Sequence, residues 1–311
     1  MLDLKRIRVL REVAERGSFS AAADSLFVSQ SAISQQIAAL EGEVGTALLL
    51  RLRGGPVLTD AGSLLVAHGD AAICRLEQAE RELAELSGLG SGELRLVSFS
   101  SASATIVATA AKRFGELHPE VRLSLAEAEP EDSIARLKRG SYDVALAFDF
   151  ELFPFEPDRD LCMTHLLDER MHVAVPPDHP LAGRSSLRLE ELSDDPWLCG
   201  SGETSCRQLT LRSCEQAGFT PNVAYESNDY TVMLALVAAG MGVTLVPDLA
   251  LLIPSPDVPI IAVEPEAPIR RVWASTLEAG ARSGAADAMV EVLAEVSAEI
   301  VLGGRAAAAA A

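Results

Sequence analysis

Lysine is almost missing from this chain. Among 311 residues it stands at positions 5, 112 and 138. None of the three sits in a GxxxxGK(S/T) loop, which excludes phosphate binding by a P-loop. A GxSxG nucleophile elbow is missing too, and the lone Gly-Ser-Gly at 200–202 is too little to stand for one. The histidines at 68, 118, 165, 172 and 179 lack metal-ligand spacing. Cysteine is scarce: five residues, an odd number without disulfide-framework spacing, fit free thiols in a reducing compartment. No apolar run approaches the ~20 residues of a membrane helix. The N-terminal MLDLKRIRVLREV carries charge through its apolar positions, unlike a signal peptide. The expectation is a cytoplasmic protein off the membrane, with no metal, no cofactor and no catalytic site.

Positive charge is also short. The net charge of −19 at pH 7 argues against non-specific coating of nucleic acid. The deficit is uneven, because residues 1–65 balance Lys5, Arg6, Arg8, Arg11, Arg16, Arg51 and Arg53 against Asp3, Glu12, Glu15, Asp24, Glu41, Glu43 and Asp60. A neutral head therefore precedes a body that holds the whole excess.

In the head, Asp3 can cap a helix with Ile7, Leu10, Val13 and Ala14 on one face, and Gly17 can stop it. Ser20 is placed to cap a short helix over 21–27 with Ala22, Ala23 and Leu26 inward. After a tight connection, Ile33, Ile37 and Leu40 form the buried stripe of a third helix. Ser31, Ser34, Gln35 and Ala38 then fall on its opposite face, polar but uncharged. Two short helices joined this way are a helix-turn-helix pattern, whose second helix enters the major groove. Gln pairs with adenine, Ser with either partner, and Ala38 permits close approach.

In LLLRLRGGPVLT (48–59), Gly54-Gly55 reads as a hairpin turn with Arg51 and Arg53 near the tip, placed for phosphate contact. A long helix follows over about 60–86. Its Leu65, Ala72, Leu76, Ala79, Leu83 and Leu86 keep heptad-like spacing, an expected seam for self-association because the head offers no partner for it. SGLGSG (87–92) ends it. From Glu93 on, strand and helix patterns alternate, which predicts an α/β sheet with crossover helices.

The blocks GSFSAAADSL, SQSAISQQIAALEGEVG and LTDAG, in that order, resemble the winged helix-turn-helix of LysR-type transcriptional regulators. DHPLAG (178–183) and AAGMGVTLVP (238–247) resemble further family blocks. The resemblance implies a winged helix-turn-helix domain (1–58), a linker helix and hinge for dimerisation (59–90) and an effector-binding domain (91–303), then a low-complexity tail (304–311). The effector domain would have the two-lobed α/β fold of type 2 periplasmic binding proteins. Lobe one would span about 91–163 and 268–303, and lobe two about 164–267. By position, Ser29, Gln30, Ser31, Ser34 and Gln35 resemble base-reading residues, and Arg51 and Arg53 wing contacts. The implied partners are double-stranded promoter DNA, a small-molecule effector, RNA polymerase, and the chain itself as homodimer or homotetramer.

Ligands of two-lobed binders sit in the cleft at strand ends and helix N-termini. The matching positions are Ser100, Ser101, Ser103, Phe148 and Asp149 from lobe one, and Ser201, Gly202 and Thr204 from lobe two. Asp149 and Glu203 would repel an anion, which leaves the effector's charge open. Some members of this family sense peroxide through a cysteine pair in lobe two, where Cys199, Cys206 and Cys214 are the candidates. One helix would hold residues 206 and 214 ~12 Å apart, whereas a disulfide needs Cα atoms within ~7 Å. A solute-binding protein and a two-lobed α/β enzyme are the rival classes. The helix-turn-helix head opposes the first, and the missing acid, base and cofactor motifs oppose the second.

Overall fold

The computed structural model describes residues 2–52, 54–86, 92–156, 158–254, 256–278 and 283–310, which fall into two compact units, Met1–Gly90 and Ser91–Ala311. Arg53, the hinge at 87–91, the side chains of Arg51, Leu83 and Leu86, and those from 304 onward lie outside the described residues.

In the first unit α1 (Leu4–Arg16) starts at Asp3, whose carboxylate accepts the Lys5 N–H, and stops at Gly17 in the left-handed region. Helix α2 (Phe19–Ser25) is capped by Ser18, whose hydroxyl accepts the N–H groups of Ser20 and Ala21. The cap expected at Ser20 thus sits two residues earlier. Gly17 turns the chain so sharply that Ser18 is already extended and Ser20 lies inside the first turn. Leu26 follows the last residue of α2 and is exposed, not inward, because Phe27 next to it adopts φ 55° and turns the chain away. Helix α3 (Gln30–Val44) buries Ile33, Ile37 and Leu40 against Ile7, Leu10 and Val13 of α1.

Strands β1 (Leu49–Leu52) and β2 (Gly55–Leu58) form the antiparallel wing, with Leu52 opposite Gly55. Gly55 takes φ 121°, and a Cβ there would lie 2.4 Å from the Gly17 carbonyl oxygen. Only glycine lets the wing cross the end of α1 so closely. Helix α4 (Asp60–Leu86) does find a partner in the head over its first half, contrary to the sequence expectation. Ile73 is buried, Asp70 pairs with Arg11 at 3.0 Å, and Gly69 abuts the Ile7 side chain. Small residues on the inner face of α4 let the two helices approach, which a heptad reading of its leucines overlooks.

The second unit opens with β3 (Glu93–Ser98). Helix α5 (Ser100–Ala102) continues through a π turn (Ser103–Val107) into α6 (Ala108–Leu117). Then come β4 (Arg122–Glu127), α7 (Pro130–Lys138) and β5 (Val144–Phe150), with β3 parallel to both β4 and β5. Every residue of β5 is buried, as suits a central strand covered on both faces. Strand β6 (Leu161–Ala174) is followed by β7 (Ser186–Leu187), β8 (Pro196–Cys199), α8 (Ser205–Gln216), β9 (Asn222–Glu226) and α9 (Tyr230–Ala238). The chain closes with β10 (Thr244–Pro247), α10 (Asp248–Leu251), β11 (Ile260–Val263), β12 (Ile269–Leu277) and α11 (Gly284–Ala310). The last helix thus runs on through the backbone of the alanine tail.

The main sheet has the order β4-β3-β5-β12-β6-β11-β7, with β10 also on β6, while β8 and β9 pair separately in parallel. Strand β6 links the two lobes. Its residues 161–170 pair with β12, and 171–174 pair with β10. The strand that carries RMHVA (170–174) therefore begins already at 161. The charged Asp168, Glu169 and Arg170 mask it in sequence, and burial of Glu169 is made tolerable by Arg270 on the neighbouring strand. Among the described residues no helix is long and apolar enough to cross a membrane.

Candidate DNA-reading surface and effector crevice

The α3 stripe fixes which residues face out. Gln30, Ser31, Gln35 and Ala38 are exposed and Ser34 is half-buried. Ser29 serves the helix itself: its hydroxyl accepts the Ala32 N–H at 3.2 Å and lies 3.0 Å from the Ser31 hydroxyl. Nearby cations are largely neutralised. Arg6 pairs with Glu43, and Arg16 with Glu12 at 2.9 Å. The helix therefore offers hydrogen-bonding groups with little net charge, while Arg51 lies on β1 of the wing. On α4, Leu65 packs into the core of the first unit, whereas Ala72, Leu76 and Ala79 are exposed.

In the second unit a crevice opens where α5 and the start of α7 meet α8 and α9. Its walls include Phe99, Ser100, Ser101, Glu129 and Phe148 on one side and Cys206, Asn228, Tyr230 and Met233 on the other. It is narrow, with room for about one water molecule. Arg270 forms its floor and is fully buried. It donates to Glu169 at 2.6 Å and to the Ser101 hydroxyl at 2.9 Å, between the rings of Phe99 and Phe148 at 5.0 and 4.8 Å. The second oxygen of Glu169 accepts the Leu249 N–H at 2.8 Å, so the buried pair joins β6, β12, α5 and α10. Burial pushes the Glu129 carboxyl up to about 7, helped by the like charge of Glu131 and opposed by Arg270.

Of the residues expected at an effector site, Ser100, Ser101 and Phe148 line the crevice and the others do not. Side chains alternate along β5, so Phe148 and Asp149 cannot share a face. Asp149 points the other way, where it accepts from Arg271 at 2.6 and 2.9 Å, from Trp273 at 3.2 Å and from the Phe155 N–H at 2.7 Å. It is a satisfied structural carboxylate. Ser103 lies one turn too deep, inside the π turn. Ser201, Gly202 and Thr204 build the loop before α8: the Ser201 N–H donates to Asn228, and the Thr204 hydroxyl donates back to the Ser201 carbonyl. The N-terminus of α8 is already occupied, because Glu131 accepts both the N–H and the hydroxyl of Ser205. Sequence reasoning missed Glu129, Asn228, Tyr230, Met233 and Arg270. Asn228 and Tyr230 sit in a strand-to-helix junction that could have flagged them, but nothing in RRVWAST distinguishes Arg270 from Arg271 without the pleat.

Cys206 and Cys214 both belong to α8, and burial pushes each thiol up to about 12. Neither has the lowered pKa of a reactive thiolate.

A helix-turn-helix with a wing, joined in one chain to a two-lobed α/β binding unit, defines a ligand-responsive DNA-binding regulator. Residues 4–63 match the bacterial regulatory helix-turn-helix protein, lysR family, and residues 87–298 match the LysR substrate binding domain. The chain belongs to the LysR family of transcriptional regulators. It is 30% identical over 252 residues to the HTH-type transcriptional regulator AlsR of Bacillus subtilis, covering 80% of this chain and 82% of that one. It is 29% identical over 250 residues to a hydrogen peroxide-inducible genes activator of Dickeya chrysanthemi, covering 80% of each. Full-length CbnR complexed with its target DNA has the same fold, with a TM-score of 0.65 at 22% identity over 95% of this chain and 100% of that one.

Proposed function

We propose that α3 reads promoter DNA with Gln30, Ser31, Ser34 and Gln35 in the major groove while Arg51 and Arg53 of the wing hold phosphates. The observation that carries this reading is the division of α3 into a buried Ile33–Ile37–Leu40 stripe and an uncharged outer face. The protein works in the cytoplasm as a homodimer through the outer seam of α4, where Leu76 is 54% exposed, and as a homotetramer that contacts RNA polymerase. A small molecule in the crevice shifts the lobes, changes the spacing of the DNA-reading heads and so alters promoter output. The DNA upstream of the protein's own gene is the probe: a band shift at moderate salt is expected, and no binding by any fragment there counts against the autoregulatory form of the reading.

We infer that the signal is a bound ligand and not oxidation: Cys206 and Cys214 lie about two turns apart on α8, and burial raises both thiols. Peroxide should leave the band shift of the native protein and of Cys206→Ser alike; a peroxide response lost in that variant would reinstate the cysteine.

A further inference from the structure

The cationic group of the crevice is already partnered: Arg270 donates through Nε to Glu169 and through Nη2 to Ser101, and the Ser205 donors at the start of α8 go to Glu131. Glu129 is the opposite case. It lines the crevice, and neither carboxylate oxygen has a hydrogen-bond or ion-pair partner among the described residues. The charged groups that face it are Arg270 from β12, Glu127 from β4 and Glu131 from α7. Arg270 is offset by Glu169 behind it. From the second lobe come the thiol of Cys206 and the phenol of Tyr230, both kept neutral by burial. The balance around Glu129 is negative, and the apolar walls of the same crevice include Phe99, Phe148 and Met233. An unpaired carboxylate beside aromatic and thioether surface lacks a charged donor.

We propose that the effector is a small organic cation, a primary ammonium or amidinium on a short apolar body, whose N–H groups bond to Glu129 while the body lies against Phe99, Phe148 and Met233. This rests on the reading of the second unit as an effector domain and adds the ligand's chemical class. The crevice must widen to admit such a molecule. Glu131 and Ser205 flank Glu129 and Cys206 in sequence, so widening parts their contact, which couples occupancy to the placement of α8 relative to α7.

The test uses the full chain and matched probes: benzylamine, benzamidine and n-butylamine against benzyl alcohol, benzamide, butanol, benzoate and butyrate. Calorimetry and thermal unfolding should detect the amines and the amidine and not the carboxylates. Glu129→Gln should weaken amine binding about tenfold or more while keeping the melting temperature of the unliganded protein at pH 5. Near pH 7 the cation should drive a proton off Glu129, so the measured heat should vary with the buffer's ionisation enthalpy in the native protein and not in the variant. Tighter binding of carboxylates, amine binding that survives Glu129→Gln, or no response to any probe would each overturn the charge assignment. Operator binding in the same preparation separates the two readings: if it is lost, the regulator reading fails; if it is intact, only the ligand class does.

Discussion

Glu131 and Ser205 meet next to the crevice residues Glu129 and Cys206, one carboxylate oxygen accepting the backbone N–H at 2.7 Å and the hydroxyl at 2.5 Å. The contact ties the first turn of α7 to the first turn of α8, where a helix terminus favours negative charge. Glu131 is exposed and Ser205 half-buried, so the link should be weak, about 1 kcal/mol. Glu131→Ala should therefore speed hydrogen exchange of the Ser205 amide by roughly fivefold without changing the melting temperature appreciably. Unchanged exchange would mean that α8 is held by other contacts.

The buried pair beneath it should behave differently. Removing one charge of a desolvated pair leaves the other uncompensated, at a cost of about 3–5 kcal/mol. Glu169→Gln should accordingly lower the urea midpoint of the second unit sharply. Adding Arg270→Met should restore part of the loss, since the methionine fits between Phe99 and Phe148 and removes the stranded cation. A double variant no more stable than the single would count against uncompensated charge as the cause.

In the first unit the close packing rests on missing side chains. A Cβ at Gly62 would lie 2.2 Å from the Leu48 carbonyl oxygen, so α4 would have to move off the start of the wing. Although alanine favours the helix by about 1 kcal/mol, Gly62→Ala should lose about 1–3 kcal/mol net of stability. Denaturant unfolding of the full chain, followed at the first transition, would measure it.

Helix α3 was legible in sequence because its burial follows a single period: Ile33, Ile37 and Leu40 are the residues the structure buries. The π turn at Ser103–Val107 was not, since Ser, Ala and Thr pack equally well in an ordinary turn. Likewise the heptad spacing of Leu65, Ala72 and Leu76 gives no hint that Leu65 joins the core while the other two face out. The crevice was half legible. Ser100, Ser101 and Phe148 follow from the rule that ligands sit at strand ends, but Arg270 owes its place to Glu169 and Ser101, 101 and 169 residues away in sequence, and Glu129 to tertiary neighbours on α8, α9 and β12.

Glu129 also gives the protein a pH signature. Its carboxyl titrates near 7, where an ordinary glutamate titrates near 4.5, so the folded state holds the proton more tightly. Between those two values the native protein binds more protons than the unfolded chain, and its stability falls as pH rises. Above about 7 the contribution is flat. The stability difference between Glu129→Gln and the native protein should therefore grow in favour of the variant from pH 4.5 to 7 and then level off. A difference independent of pH across that window would show that the carboxyl is not desolvated.

On α3, reading and holding DNA should separate. Gln35 is exposed on a helix whose outer face has no charge, so on the proposed reading its contribution should come through hydrogen bonds to base edges. Loss of such a contact costs about 1–3 kcal/mol against the preferred sequence and little against random DNA. Gln35→Ala should thus lower operator affinity by about tenfold, relax preference at one base position, and leave the salt dependence of binding unchanged. Arg51→Ala should do the reverse, weakening all sequences together and reducing the salt slope by about one. Titrations of operator and scrambled duplexes over a range of salt would tell these apart. An equal loss on both duplexes for Gln35→Ala would place that residue outside the base-reading set.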